Sequence, residues 1–253
     1  MRALSASDLL NIWERGASRA PVEQALAILS SAFPQAPEDA LALLDFVRRD
    51  LCLLRLRGLT FGSQIKGVAD CPACGNRLEL DFDTRDLPAW TSPLPDIDLE
   101  QTLNSETSLL VDDYEVTYRL PNSIDLSVLN QAQDAGSRRH QLIEACIVSA
   151  QRDGKTLSAT EVPSETLDVV VERISQDHPL ADLTLSVTCP TCSHTWEILF
   201  DIVSYFWSEI HAWSMRLMRE IHTLAVAYGW RESDILELSA WRRQRYLEMI
   251  GVR

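Results

Sequence analysis

Two short stretches of this chain repeat each other, about 115 residues apart. The first is Cys71-Pro72-Ala73-Cys74-Gly75-Asn76-Arg77-Leu78-Glu79-Leu80-Asp81-Phe82-Asp83. The second is Cys189-Pro190-Thr191-Cys192-Ser193-His194-Thr195-Trp196-Glu197-Ile198-Leu199-Phe200-Asp201. Counted from the first cysteine, Cys, Pro, Cys, a Glu, an aliphatic residue, Phe and Asp fall at equal offsets. An aliphatic, strand-like run precedes each. Each stretch therefore reads as a strand, a tight two-cysteine turn and a second strand.

A C-x-x-C turn aims two thiolates at one point. The proline after the first cysteine fixes φ, and Gly75 or Ser193 eases the backbone past the second. One such turn supplies half of a tetrahedral zinc shell, and two supply all of it. The gap between the pairs is far longer than the usual spacing of about 15–20 residues. The expectation is a zinc ribbon split by a large insertion, with one structural zinc per chain held by Cys71, Cys74, Cys189 and Cys192. Three alternatives stay open, the first being that both pairs are metal-free turns. Disulfides within each pair would be strained and need an oxidising compartment. A thiol-redox pair needs C-x-x-C after a strand and opening a helix, whereas strand-like sequence follows both motifs here. His194 offers a substitute ligand, although with four thiolates at hand it reads as a supporting or surface residue. Cys52 and Cys146 sit among apolar residues in helical patterns and read as buried small hydrophobes.

The chain of 253 residues carries a formal net charge of −14. That repels nucleic acid and argues against the DNA or RNA binding common among zinc ribbons. It suits docking on a basic protein surface. No run of about 18 apolar residues is present, so no membrane span is expected. The first residues lack the apolar core of a signal peptide, and a cytoplasmic location is expected.

The fold class expected is α+β, mostly helical, in three regions. Residues 1–58 form an N-terminal helical region of three helices. The first is capped by Ser5 or Ser7 and ends at Gly16. The second starts at Pro21 and stops before Pro34. The third starts at Pro37, carries the core stripe Leu41, Leu44, Val47, Leu51 and Leu54, and ends at Gly58. The arginines of that third helix, Arg48, Arg49, Arg55 and Arg57, read with Asp50 as a solvated face with local ion pairs.

Residues 59–201 form the split ribbon, with the insertion at 84–188. Within the insertion, 84–106 reads as an extended acidic linker. Its Asp96, Asp98 and Glu100 read as solvated. A hairpin turning at Asp112-Asp113 follows, then helices at 123–134, broken by Gly136, at 138–151, and one capped by Ser164. A turn lies at Asp153-Gly154. Residues 202–253 form a C-terminal helical region, with one long helix at 202–228, a stop at Gly229 and two shorter helices. The long helix carries Trp207, Met215 and Met218 beside its main apolar stripe, a surface broad enough to suggest a partner as well as a core. His211 and His222 read as packing or surface residues.

Catalytic patterns are missing. There is no phosphate loop, no G-x-S-x-G and no dinucleotide fingerprint. A four-thiolate zinc has no open position for water, so the chain is expected not to be an enzyme.

Two further patterns are similar to a known family. One is Trp13-Glu14 with Leu-rich helices, leading through Arg49-Asp50-Leu51-Cys52-Leu53-Leu54 and Phe61-Gly62 into Cys71-Pro72-Ala73-Cys74-Gly75. The other runs from Glu209-Ile210-His211 through Glu220-Ile221-His222-Thr223-Leu224-Ala225-Val226-Ala227-Tyr228-Gly229-Trp230 to Arg242-Arg243-Gln244-Arg245-Tyr246-Leu247. Together they resemble the baseplate hub assembly chaperones of T-even-type phages, which have relatives in contractile injection systems. The resemblance implies a non-catalytic protein that builds, or belongs to, the baseplate of a contractile tail. Its partners would be other baseplate, hub or tube proteins in a hetero-oligomeric assembly. A transient chaperone and an unrelated zinc-ribbon adaptor are the alternatives.

Overall fold

The computed structural model describes residues 1–87, 106–129, 135–178 and 183–251. Four helices open the chain: α1 (Ala6–Gly16), α2 (Pro21–Ala32), α3 (Glu38–Leu43) and α4 (Phe46–Phe61). Ser5 caps α1, accepting the Asp8 N–H at 3.2 Å, while the Asp8 carboxylate accepts the Ser5 N–H at 2.8 Å. Pro21 opens α2, where a missing N–H costs nothing.

The single helix expected from Pro37 to Gly58 is two. Leu44 turns extended, with ψ 130, and Asp45 starts a new helix by accepting the Arg48 N–H at 2.9 Å. The Phe46 N–H donates to the Pro121 carbonyl at 2.9 Å, and Asp45 bridges Asn122. The insertion thus takes backbone groups that an unbroken helix would have used. The second helix also runs past Gly58 and ends at Gly62, whose φ of +91 suits glycine.

Next come the hairpin β1 (Gln64–Asp70) and β2 (Arg77–Asp83), and a 3-10 turn at Thr84–Asp86. The insertion contributes β3 (Glu106–Val111), β4 (Tyr114–Arg119), α5 (Ser123–Leu129), α6 (Ala135–Cys146), β5 (Ile147–Arg152), β6 (Lys155–Leu157) and α7 (Ser164–Asp177). A second hairpin follows, β7 (Thr184–Thr188) and β8 (Thr195–Leu199). The chain closes with α8 (Ile202–Tyr228), α9 (Glu232–Glu237) and α10 (Ala240–Met249).

The insertion is less helical than its sequence suggests. Its strands form one antiparallel sheet in the order β3-β4-β5-β6. The expected hairpin at Asp112-Asp113 is present, with Asp112 at φ 52, and the Asp153-Gly154 turn joins β5 to β6. The helix expected over 138–151 stops at Cys146, because Ile147–Arg152 pairs with β4 instead. Gly136 is the second residue of α6. Val116, Tyr118, Ala150, Val162, Leu167 and Val170 make the insertion's own core. The acidic run Asp96, Asp98 and Glu100 lies outside the described residues, as does the end of the helix expected at 123–134.

The long helix α8 ties the chain together. Its first half puts Ile202, Val203, Phe206 and Ile210 into one core with Leu9, Ile12, Ile28, Leu29, Leu41, Leu53, Leu54 and Leu56 of the N-terminal helices. Burying a side chain such as Phe206 fully is worth about 2–3 kcal/mol. Its second half joins α9 and α10 around Leu217, Ile221, Leu224, Ile235 and Leu247. Trp207, off the main stripe, is occupied by the chain itself, since it lies over Gly16, where a Cβ would meet the ring at 2.4 Å.

Two arginines read as solvated are buried instead. Arg49 (6% exposed) donates to Asp50 at 2.7 Å. Arg57 (2% exposed) makes two bonds to Glu209 of α8, at 2.8 and 2.6 Å, and a third to the Gly62 carbonyl at 2.7 Å. A buried charge stripped of its partner is costly. Glu209→Ala is therefore expected to destabilise the protein by about 3–5 kcal/mol in chemical denaturation, and Arg57→Met by clearly less.

Candidate metal centre

The two cysteine turns are the same structure made twice. In each, the first cysteine's N–H donates to a carbonyl five residues on: Cys71 to Asn76 and Cys189 to His194, both at 2.9 Å. In each, the residue after the second cysteine returns its N–H to the first cysteine's carbonyl, Gly75 to Cys71 at 2.8 Å and Ser193 to Cys189 at 2.9 Å. That residue sits in the left-handed region, Gly75 at φ 72 and Ser193 at φ 58. Strands β1 and β2 hold the first turn in a seven-pair ladder, and β7 and β8 hold the second in a five-pair one.

The likeness continues past the strands. Phe82 and Phe200, at equal offsets, meet edge to face with centroids 5.6 Å apart. Asp83 and Asp201, the next pair, both cap. Asp83 accepts the Arg85 N–H at 2.8 Å, and Asp201 accepts the N–H groups of Val203 and Ser204 at the start of α8. The sequence repeat displays both residue pairs, but neither the ring contact nor the capping follows from it. Arg85 holds the Asp83 carboxyl well below the usual carboxylate range.

Among the described residues no backbone ladder joins the two hairpins. What brings their tips together is side chains. All four cysteine sulfurs lie within 4.8 Å of one another. The short approaches run between turns: Cys71 Sγ to Cys192 Sγ and Cys74 Sγ to Cys189 Sγ, both 3.7 Å. Disulfide sulfurs would be about 2.05 Å apart, and all six cysteines are free. Four thiolates about 2.3 Å from a tetrahedral ion would stand about 3.8 Å apart. The four positions singled out in the sequence thus converge into a cage of metal-site dimensions. Cys71 and Cys189 are buried beside Leu78, Val187 and Trp196, while Cys74 and Cys192 form its open side. His194 is exposed and stacks on Trp196, at 6.0 Å and 14°, outside the four-sulfur cluster.

The chemistry of the donors fits a cation. Backbone N–H groups of Cys192 and Thr191 draw the Cys189 thiol down to about 6, against the effect of burial. At Cys74 the Asn76 backbone lowers the value, but Cys192, burial, Cys189 and Cys71 push it up to about 12. Sulfurs this close cannot all carry charge without a counter-ion, and a divalent cation removes that conflict. Outside the cage, burial pushes Cys52 and Cys146 up to about 12, so both are inert packing residues. His211 accepts the Trp13 indole N–H at 2.9 Å and serves packing.

Two expected outcomes test this geometry. In metal-stripped protein, thiol alkylation followed by peptide mass spectrometry should modify the four cage cysteines first, and leave Cys52 and Cys146 untouched until the chain unfolds. Thermal or chemical denaturation should show Gly75→Ala destabilising by about 1–2 kcal/mol, and Ser193→Gly neutral or slightly stabilising.

Among the described residues no helix is long and apolar enough to cross a membrane. No curated protein and no solved structure matches the chain. One family model does, over residues 7–207, a span that takes in the N-terminal helices, both cysteine turns, the insertion and the start of α8. On that match the chain belongs to the family of T4 bacteriophage base plate proteins.

Proposed function

We infer that the protein is a permanent structural component of the baseplate of a contractile phage tail or injection system, working without catalysis. The family match over 7–207 carries this reading. It is supported by the acidic, motif-poor sequence and by a four-sulfur cage whose ligands close the coordination shell. The cage is read as one structural zinc per chain, held by Cys71, Cys74, Cys189 and Cys192. Four soft thiolates in tetrahedral array select zinc or iron–sulfur chemistry over hard cations. Zinc would supply positive charge and a rigid crosslink between hairpins that share no ladder. The other baseplate, hub or tube proteins are the partners in this reading.

A transient assembly chaperone is the second reading. The buried pair Arg57–Glu209 and the shared core of α8 with the N-terminal helices favour a rigid, lasting part.

Two measurements decide. In purified contractile particles, quantitative mass spectrometry should find this chain at fixed stoichiometry. Its presence only in immature fractions would establish the chaperone instead. Metal analysis of the isolated protein should give one zinc per chain. Cys71→Ser and Cys189→Ser should each remove the metal and lower the melting temperature. Loss of stability from only one of the two pairs would show that the turns are not crosslinked.

A further inference from the structure

The matched family region ends at 207, and the chain beyond it changes character. Residues 208–253 carry seven arginines against six carboxylates. Residues 1–207 carry sixteen basic side chains against thirty-one acidic ones. The terminal part is folded, not a loose tail. Its core is closed by a ring cluster in which Trp230 stacks on Tyr228 at 4.6 Å and meets Tyr246 edge-on at 4.9 Å.

Helix α10 has one face in that core and one in solvent. On the inner face Leu247 is buried, and Arg243 is held by Glu220 at 3.1 Å and by the Leu238 carbonyl at 2.7 Å. The outer face presents Trp241 (67% exposed), Arg242, Arg245 and Met249 (73% exposed). Residues 241, 245 and 249 recur every four positions, which makes one stripe about 12 Å long. The Arg245 guanidinium lies over the Trp241 ring at 5.2 Å and also donates to Glu248 at 2.8 Å, which offsets part of its charge. Exposed tryptophan framed by arginine is the composition enriched at the energetic centres of protein interfaces.

The acidic body holds a surface of inverse chemistry. At the tip of the β3–β4 hairpin Leu110 is 72% exposed, on an edge strand of the sheet. Glu115 faces it across the ladder, and Asp112 and Asp113 make the turn beside it. Arg152, 3.8 Å from Asp113, offsets part of this charge. An apolar side chain among carboxylates matches a tryptophan among arginines.

We propose that the outer face of α10 in one copy docks on the β3–β4 tip of a second copy. The two patches differ, so the contact is head-to-tail, and repetition yields a closed ring or an open chain of copies. The proposal names a surface for the assembly role inferred above and rests on that role only for its biological setting. It is read on the isolated chain, so absence from contractile particles would leave it standing.

The test is sedimentation velocity of the full-length, zinc-loaded protein over a range of concentrations at low and high salt. Self-association should grow with concentration and weaken with salt. Trp241→Ala, Arg245→Glu and Glu115→Arg should each weaken it about tenfold or more, with circular dichroism unchanged. The double charge swap, Arg245→Glu with Glu115→Arg, should recover part of the loss. A monomer at every concentration in low salt overturns the proposal, including the case in which α10 binds only a different subunit. Self-association that the three single variants leave unchanged overturns it as well.

Discussion

The structure depends on a join made without backbone. The two cysteine hairpins share no ladder among the described residues, and what meets between them is side chains: the four sulfurs, the apolar cluster of Leu78, Val187 and Trp196, and the Phe82–Phe200 pair. Backbone pairing is cooperative and spread over many residues, whereas this join is concentrated in a few atoms. It is correspondingly demanding of geometry. The paired hydrogen bonds inside each turn, and the left-handed residue after each second cysteine, aim the thiols before they meet.

Helix α8 carries that join into the rest of the chain. Asp201 caps the helix directly after the second hairpin, and Tyr205, one turn on, reaches back to the first. Its hydroxyl donates to the Lys66 carbonyl at 3.0 Å and accepts the Lys66 N–H at 3.1 Å. The Arg57 guanidinium lies over the same ring at 5.5 Å and is anchored by Glu209 one further turn along. Within three turns, one helix contacts the first hairpin, the N-terminal helices and their shared core. The turn-by-turn periodicity of a helix suits this task, because residues four apart project in nearly the same direction.

Legibility in the sequence followed the distance over which each decision is made. The four cysteines were legible because turn chemistry is local and the repeat doubled the signal. Helix α8 was legible from its apolar period and from Gly229 at its end, whereas its cap, Asp201, is shown only by the fold. The break at Asp45 was hidden, because the acceptor of the Phe46 N–H is Pro121, far along the chain. The burial of Arg57 was hidden for the same reason, its partner Glu209 lying 152 residues away. Strand β5 looks helical in the sequence because Leu142, Ile143, Cys146 and Ile147 keep a helical period up to its first residue. Pairing with β4 decides otherwise. Gly16 read as a helix end, and only the fold shows that Trp207 needs its missing side chain.

The equal offsets in the two hairpins bring Phe82, just before the insertion, against Phe200, whose N–H donates at 2.7 Å to the Leu183 carbonyl beside the start of β7. A segment whose two ends are already neighbours resembles a cassette set into a socket. Its length is then weakly constrained, since each doubling of a flexible loop costs only about 0.6 kcal/mol in closure entropy. A cassette of another size would then fit the same socket, so long as both hairpins are kept.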